Sequence, residues 1–78
     1  MKTLAEIVGE NIRARRTEMG LHQKQLAQMI DAGNQSVISS WERAIRCPTA
    51  VFLYALADVF RCSVDELLGR EHGCLETD

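Results

Sequence analysis

Apolar residues recur along this chain at helical spacing. Leu4, Ile7, Val8 and Ile12 repeat at steps of three and four (4 to 7, 4 to 8, 8 to 12), and Met19 extends the same series, which predicts one helix with a single buried side. Thr3 and Glu6 have the spacing of a capping box at its start, and Gly20 follows as a stop that tolerates the left-handed conformation. A second helix is expected over about residues 23–30. Leu21 and Leu26 are placed to form a hydrophobic staple around His22, a poor N-cap. The stretch Asp31-Ala32-Gly33-Asn34 has turn composition, and Asn34 caps a third helix over about residues 35–43. Val37, Ile38 and Trp41 share one side of that helix, and Gln35, Ser36, Ser39 and Ser40 lie away from it.

After a polar link and Pro48, Thr49 is the expected N-cap of a fourth helix. It carries Phe52, Leu53, Leu56, Ala57, Val59 and Phe60. Apolar residues on more than one face suit a central core helix, or a helix with one side against a second subunit. Ser63 and Glu66 repeat the capping-box spacing ahead of a short fifth helix with Val64, Leu67 and Leu68, which ends at Gly69. One proline and five scattered glycines provide no strand-and-hairpin punctuation. The expected fold class is therefore all-α: five helices over residues 1–69 and a polar, frayed tail over residues 70–78.

Composition narrows the function. Seventy-eight residues suit one domain, so no separate sensing or catalytic module is expected, and a chain of this length buries only about 60–65% of its unfolded surface. No apolar run approaches the ~20 residues of a membrane span, and the N-terminus lacks a signal-peptide core, so a soluble cytoplasmic protein is expected. Three cysteines without CxxC spacing argue against disulfides and structural zinc. The net charge of −2 does not suggest a nucleic-acid binder, but its distribution is uneven. Residues 1–46 hold seven Lys/Arg against five Asp/Glu, and residues 47–78 hold two against six. The small positive excess sits beside the polar third helix. Ser and Asn are mediocre helix formers, so an exposed run of them fits either a tolerated solvent face or a surface selected for hydrogen bonding.

The run LHQKQLAQMIDAGNQSVISSWERAIRCP, followed by LYALADVFRCSVDELL, resembles the phage repressor and Cro family, also called the xenobiotic response element family. The resemblance covers about residues 4–69. It rests on the order of Gln23, Leu26-Ala27, Ile38-Ser39, Trp41-Glu42-Arg43 and Pro48 rather than on any one of them. It implies a lambda-repressor-like domain whose second and third helices form a helix-turn-helix, with the third helix in the major groove of double-stranded DNA. Gln35 and Ser36 become the first candidates for base contact, followed by Ser39 and Ser40, with Ser40 favoured once Ile38 is matched to the core. Gln23, Lys24, Asn34, Arg43 and Arg46 are the expected phosphate contacts, with Gln23 alternatively steadying Gln35. Arg16 and Glu42 match positions that pair structurally in the family. Trp41 is expected in the core.

Two departures from the family pattern are visible. The link from Leu26 to Glu42 is one residue longer than usual, with the extra residue in the 31–34 turn, and Ala44 stands where glycine is common.

These features lead to a homodimeric transcriptional regulator, a repressor, on a palindromic operator, with helices four and five as the dimer surface. No cofactor, metal, small-molecule ligand or catalysis is expected. The alternative is an antitoxin-like interaction module using the acidic C-terminal half, with secondary DNA binding. A metal or redox sensor built from His72 and Cys74 with Cys47 or Cys62 has little support from spacing.

Overall fold

The structure, a computed structural model, describes residues 1–69. Its helices are α1 (Leu4–Glu18), α2 (Gln23–Met29), α3 (Gln35–Glu42), α4 (Ala50–Phe60) and α5 (Val64–Leu67), and there is no strand among the described residues. The core takes Val8 and Ile12 from α1, Leu26 and Ala27 from α2, Ile38 and Trp41 from α3, Leu56, Ala57 and Phe60 from α4, and Leu67 from α5. Leu56 and Leu67 are fully buried, so the two C-terminal helices complete the core under the first three.

Helix starts follow local chemistry. The Thr3 hydroxyl accepts from the Glu6 N–H at 3.2 Å while the Glu6 carboxylate accepts from the Thr3 N–H at 2.8 Å. Ser63 and Glu66 repeat this exchange at 3.0 and 2.8 Å. At α2 the weak cap His22 is supported by Gln25, whose side-chain oxygen accepts from the His22 N–H at 2.8 Å. Both α2 and α3 end one residue before the expected boundary, with Ile30 and Arg43 as C-caps. The apolar side of α1 is also shorter than its sequence pattern. Leu4 and Met19 are 55% and 48% exposed, because the packed elements meet α1 through its middle turns, where Val8, Gly9 and Ile12 are buried.

Gly9 sets the spacing between α1 and α3. A Cβ built there lies 2.3 Å from the Trp41 carbonyl oxygen and 3.1 Å from that of Glu42, so only glycine lets α1 cross the end of α3 this closely. The longer turn is absorbed by Asp31 at φ +58° and Gly33 at φ +93°. Between them Ala32 is buried, and its N–H bonds the Ala27 carbonyl at 2.8 Å.

Ala44 follows the C-cap of α3 at φ +61°, in the left-handed region. This is why glycine suits that position. Ala44→Gly is expected to stabilise the domain by about 0.5–1 kcal/mol: relief of left-handed strain exceeds the added freedom of the unfolded chain. A urea titration that finds no gain, or a loss, contradicts the left-handed assignment.

Candidate nucleic-acid interface

Helix α3 is divided lengthwise. Ile38 is fully buried and Trp41 is 3% exposed, with the indole tilted against the Phe52 ring at 5.2 Å between centroids. The opposite side carries two rows at i, i+4 spacing. Gln35, Ser39 and Arg43 form one row, Ser36 and Ser40 the other. Gln35, Ser36 and Arg43 are exposed, and Ser39 and Ser40 are half-buried.

Asn34 opens the helix. Its side-chain oxygen accepts from the Ser36 N–H at 2.9 Å and also from the Ser36 hydroxyl. The Ser40 hydroxyl donates to the Val37 carbonyl at 2.7 Å. At the far end, the Ser40 carbonyl accepts from the Ile45 and Arg46 N–H groups at 2.9 and 3.3 Å, which turns the chain back and holds Arg46 beside Ser40.

A polar network locks this helix to the rest of the domain. Arg16 on α1 donates to Glu42 from Nε at 2.6 Å and from Nη2 at 3.1 Å, and from Nη1 to the Leu21 carbonyl at 2.8 Å. Gln23 Nε2 donates to the same Glu42 carboxylate at 3.1 Å. The Arg16 and Glu42 side chains are only 15% and 5% exposed. One carboxylate thus ties together α1, the first residue of α2 and the end of α3, and its bidentate pairing with arginine fixes orientation as well as distance. One N–H of the Gln23 amide is therefore engaged by Glu42.

The two residues expected first at the bases lie on different flanks. Gln35 borders the groove on the α2 side with His22, Gln23 and Lys24. Ser36 and Ser40 border the groove on the α4 side with Arg46, Cys47 and Thr49. Exposed Lys24 and Arg46 thus stand on opposite sides of the outward face of α3, and exposed Arg43 stands at its end. The structure brings together Gln35, Ser36, Ser39 and Ser40 as one surface with cations at its edges. Gly9 and Gln25 are the contributors sequence reasoning missed. Gly9 looked like an ordinary helical position, and Gln25 had the spacing of a capping box without a Ser or Thr partner.

The cysteines offer no comparable arrangement. Cys47 is exposed, and Cys62 is partly buried against the core, where desolvation pushes its thiol pKa up; Arg15 lowers it and Glu66 adds to the rise. A sensing thiolate needs the opposite shift. Among the described residues, no three His, Cys, Asp or Glu side chains are grouped to hold a metal. His72, Cys74 and the tail over residues 70–78 lie outside the described residues. None of the described helices is long and apolar enough to cross a membrane.

The helix-turn-helix family matches residues 12–67, which contain all of α2, α3, α4 and α5. The chain belongs to that family. Over 63 residues, 81% of its length, it is 40% identical to repressor protein C2 of Salmonella phage P22 and covers 29% of that protein. The same share of the chain is 40% identical to the HTH-type transcriptional regulator DicA of Escherichia coli K12, covering 46% of it. It is also 31% identical over 64 residues to the HTH-type regulator ImmR of Bacillus subtilis 168, covering 50%. The chain thus spans half or less of the length of these curated relatives. A crystal structure of the P22 c2 repressor in complex with synthetic operator 9T superposes with a TM-score of 0.76 at 38% identity, over 82% of this chain and 96% of that one. The five-helix, lambda-repressor-like architecture expected from the sequence is the architecture of this helix-turn-helix chain.

Proposed function

We propose that this chain is a sequence-specific binder of double-stranded DNA that represses transcription, with α3 lying in the major groove. The carrying observation is the outward face of α3. It is polar, edged by cations on both flanks, and held at a fixed angle by the Arg16–Glu42–Gln23 network. The similarity to an operator-bound repressor supports the same reading. Gln35, Ser36, Ser39 and Ser40 meet base edges, and Lys24, Asn34, Arg43 and Arg46 meet phosphates. Gln23 positions this surface through Glu42 and keeps the second N–H of its amide for a phosphate. The role is that of a binding module rather than an enzyme, in the cytoplasm where its operator lies.

The unit binds as a homodimer. One recognition helix of eight residues reads few base pairs, and two-fold pairing on symmetric DNA doubles the site. The surface open to a second copy is narrower than the apolar pattern of α4 and α5 implied. Leu67 is fully buried and Leu68 packs on the core, so α5 turns its apolar residues inward. Ile45, Val51 and Tyr54 remain exposed at 61%, 76% and 74%.

Selection from random duplex DNA tests the proposal. The expected product is a two-fold motif with half-site centres about 34 Å, or one helical turn, apart. No enrichment even at low salt overturns DNA recognition, and an asymmetric motif bound by monomer overturns the dimer. On the selected site, Arg43→Ala and Arg46→Ala are each expected to weaken binding across sequences and to lower the salt-dependence slope by about 1. An unchanged slope removes that residue from the phosphate contacts.

A further inference from the structure

We infer that Ser36 and Ser40 read exocyclic amino groups, so that the strand they touch carries adenine or cytosine, not guanine or thymine, at both contacted positions. The inference rests on the major-groove placement of α3 and deepens it into a base-class preference.

A serine hydroxyl has one proton to donate and two lone pairs to accept with. The Ser36 proton is committed to the Asn34 side-chain oxygen. That atom also accepts the Ser36 N–H at 2.9 Å, so it is the oxygen of the amide and can only accept. The Ser40 proton is committed to the Val37 carbonyl at 2.7 Å, again to an atom that can only accept. Both hydroxyls therefore have only lone pairs left to offer a base. They sit one turn apart on the same row of α3 and border one open groove with Arg46 and Thr49.

In the major groove, adenine offers N6–H and cytosine offers N4–H, whereas guanine O6 and N7 and thymine O4 only accept. An acceptor-only hydroxyl opposite guanine or thymine places lone pair against lone pair. Turning the hydroxyl to donate there breaks its bond to Asn34 or Val37. The expected discrimination is that of one net hydrogen bond, about three- to tenfold per serine. Gln35 lies outside this rule. Its amide has both a donor and an acceptor, and it borders the other flank of α3.

The test compares the full chain with Ser36→Ala and Ser40→Ala by selection from random duplex DNA, with circular dichroism to confirm that each variant is folded. Each variant is expected to lose an adenine-or-cytosine preference at one position and keep the rest of the motif. At that position, replacing the base with an analogue lacking the amino group is expected to weaken wild-type binding three- to tenfold and to leave the alanine variant unchanged. Each base pair carries one such amino group, on one strand or the other, so a wild type indifferent to its loss at the positions that respond to the variants overturns the inference. Motifs unaltered in both variants overturn it too. Those outcomes leave DNA binding standing, whereas the absence of any motif for the wild type overturns the DNA reading itself.

Discussion

Removing the Glu42 charge, as in Glu42→Gln, is expected to lower stability by about 3–5 kcal/mol, because the Arg16 guanidinium is left without its counter-ion at a nearly dry site. Against the ~5 kcal/mol total stability usual for a domain of this size, such a loss leaves much of the chain unfolded. Arg16 donates three hydrogen bonds, two of them to this carboxylate, so the geometry is good while the pair is intact and unforgiving once it is halved. Urea denaturation of Arg16→Met, Glu42→Gln and the double variant checks the reasoning. The double variant is expected to be more stable than the sum of the single losses implies, because it removes the stranded charge as well as the bond. Single losses under about 1 kcal/mol, the range of exposed pairs, contradict a load-carrying network. A folded Gln23→Ala variant, which removes only the neutral arm to Glu42, is expected to lose far less.

Gly9→Ala is expected to destabilise by at least about 2–3 kcal/mol, the scale of forced overpacking. The sign is the informative part. Within an unobstructed helix the same change favours folding by ~1 kcal/mol. Here the added methyl meets the backbone carbonyls of Trp41 and Glu42 at 2.3 and 3.1 Å, and backbone cannot step aside as a flexible side chain can. Because α3 is the element displaced, DNA affinity is expected to fall along with stability. A Gly9→Ala protein at least as stable as wild type means that α1 and α3 are not in this contact.

The fold was legible because local signals and apolar spacing agreed. Thr3 with Glu6 and Ser63 with Glu66 marked helix starts, and the caps form as their spacing implied. Ile38 and Trp41 marked the buried side of α3, which leaves the serines and Gln35 as its outward face. Failures came where long-range packing decides. Leu4 and Met19 had the right period, but both stay exposed at the ends of α1. Gly9 is silent locally, since its need for no side chain comes from a helix more than thirty residues further on. Gln23 shows the limit at the interface. A helix-opening glutamine can face phosphate or Gln35 with equal local plausibility, and the bond to Glu42 comes only from the packing of α1 against α3, which sets that carboxylate beside it. Likewise, residues adjacent in sequence, Gln35 and Ser36, border opposite grooves because successive helical positions turn by about 100°.

The placement of α3 is the central claim, and backbone amide chemical shifts measured while the selected duplex is titrated into the labelled chain test it most directly. The account predicts that the largest perturbations fall on Gln35, Ser36, Ser39, Ser40 and Arg43, with smaller ones at Lys24 and Arg46. Perturbations centred on Val51 and Tyr54 of α4, with α3 unmoved, would contradict it.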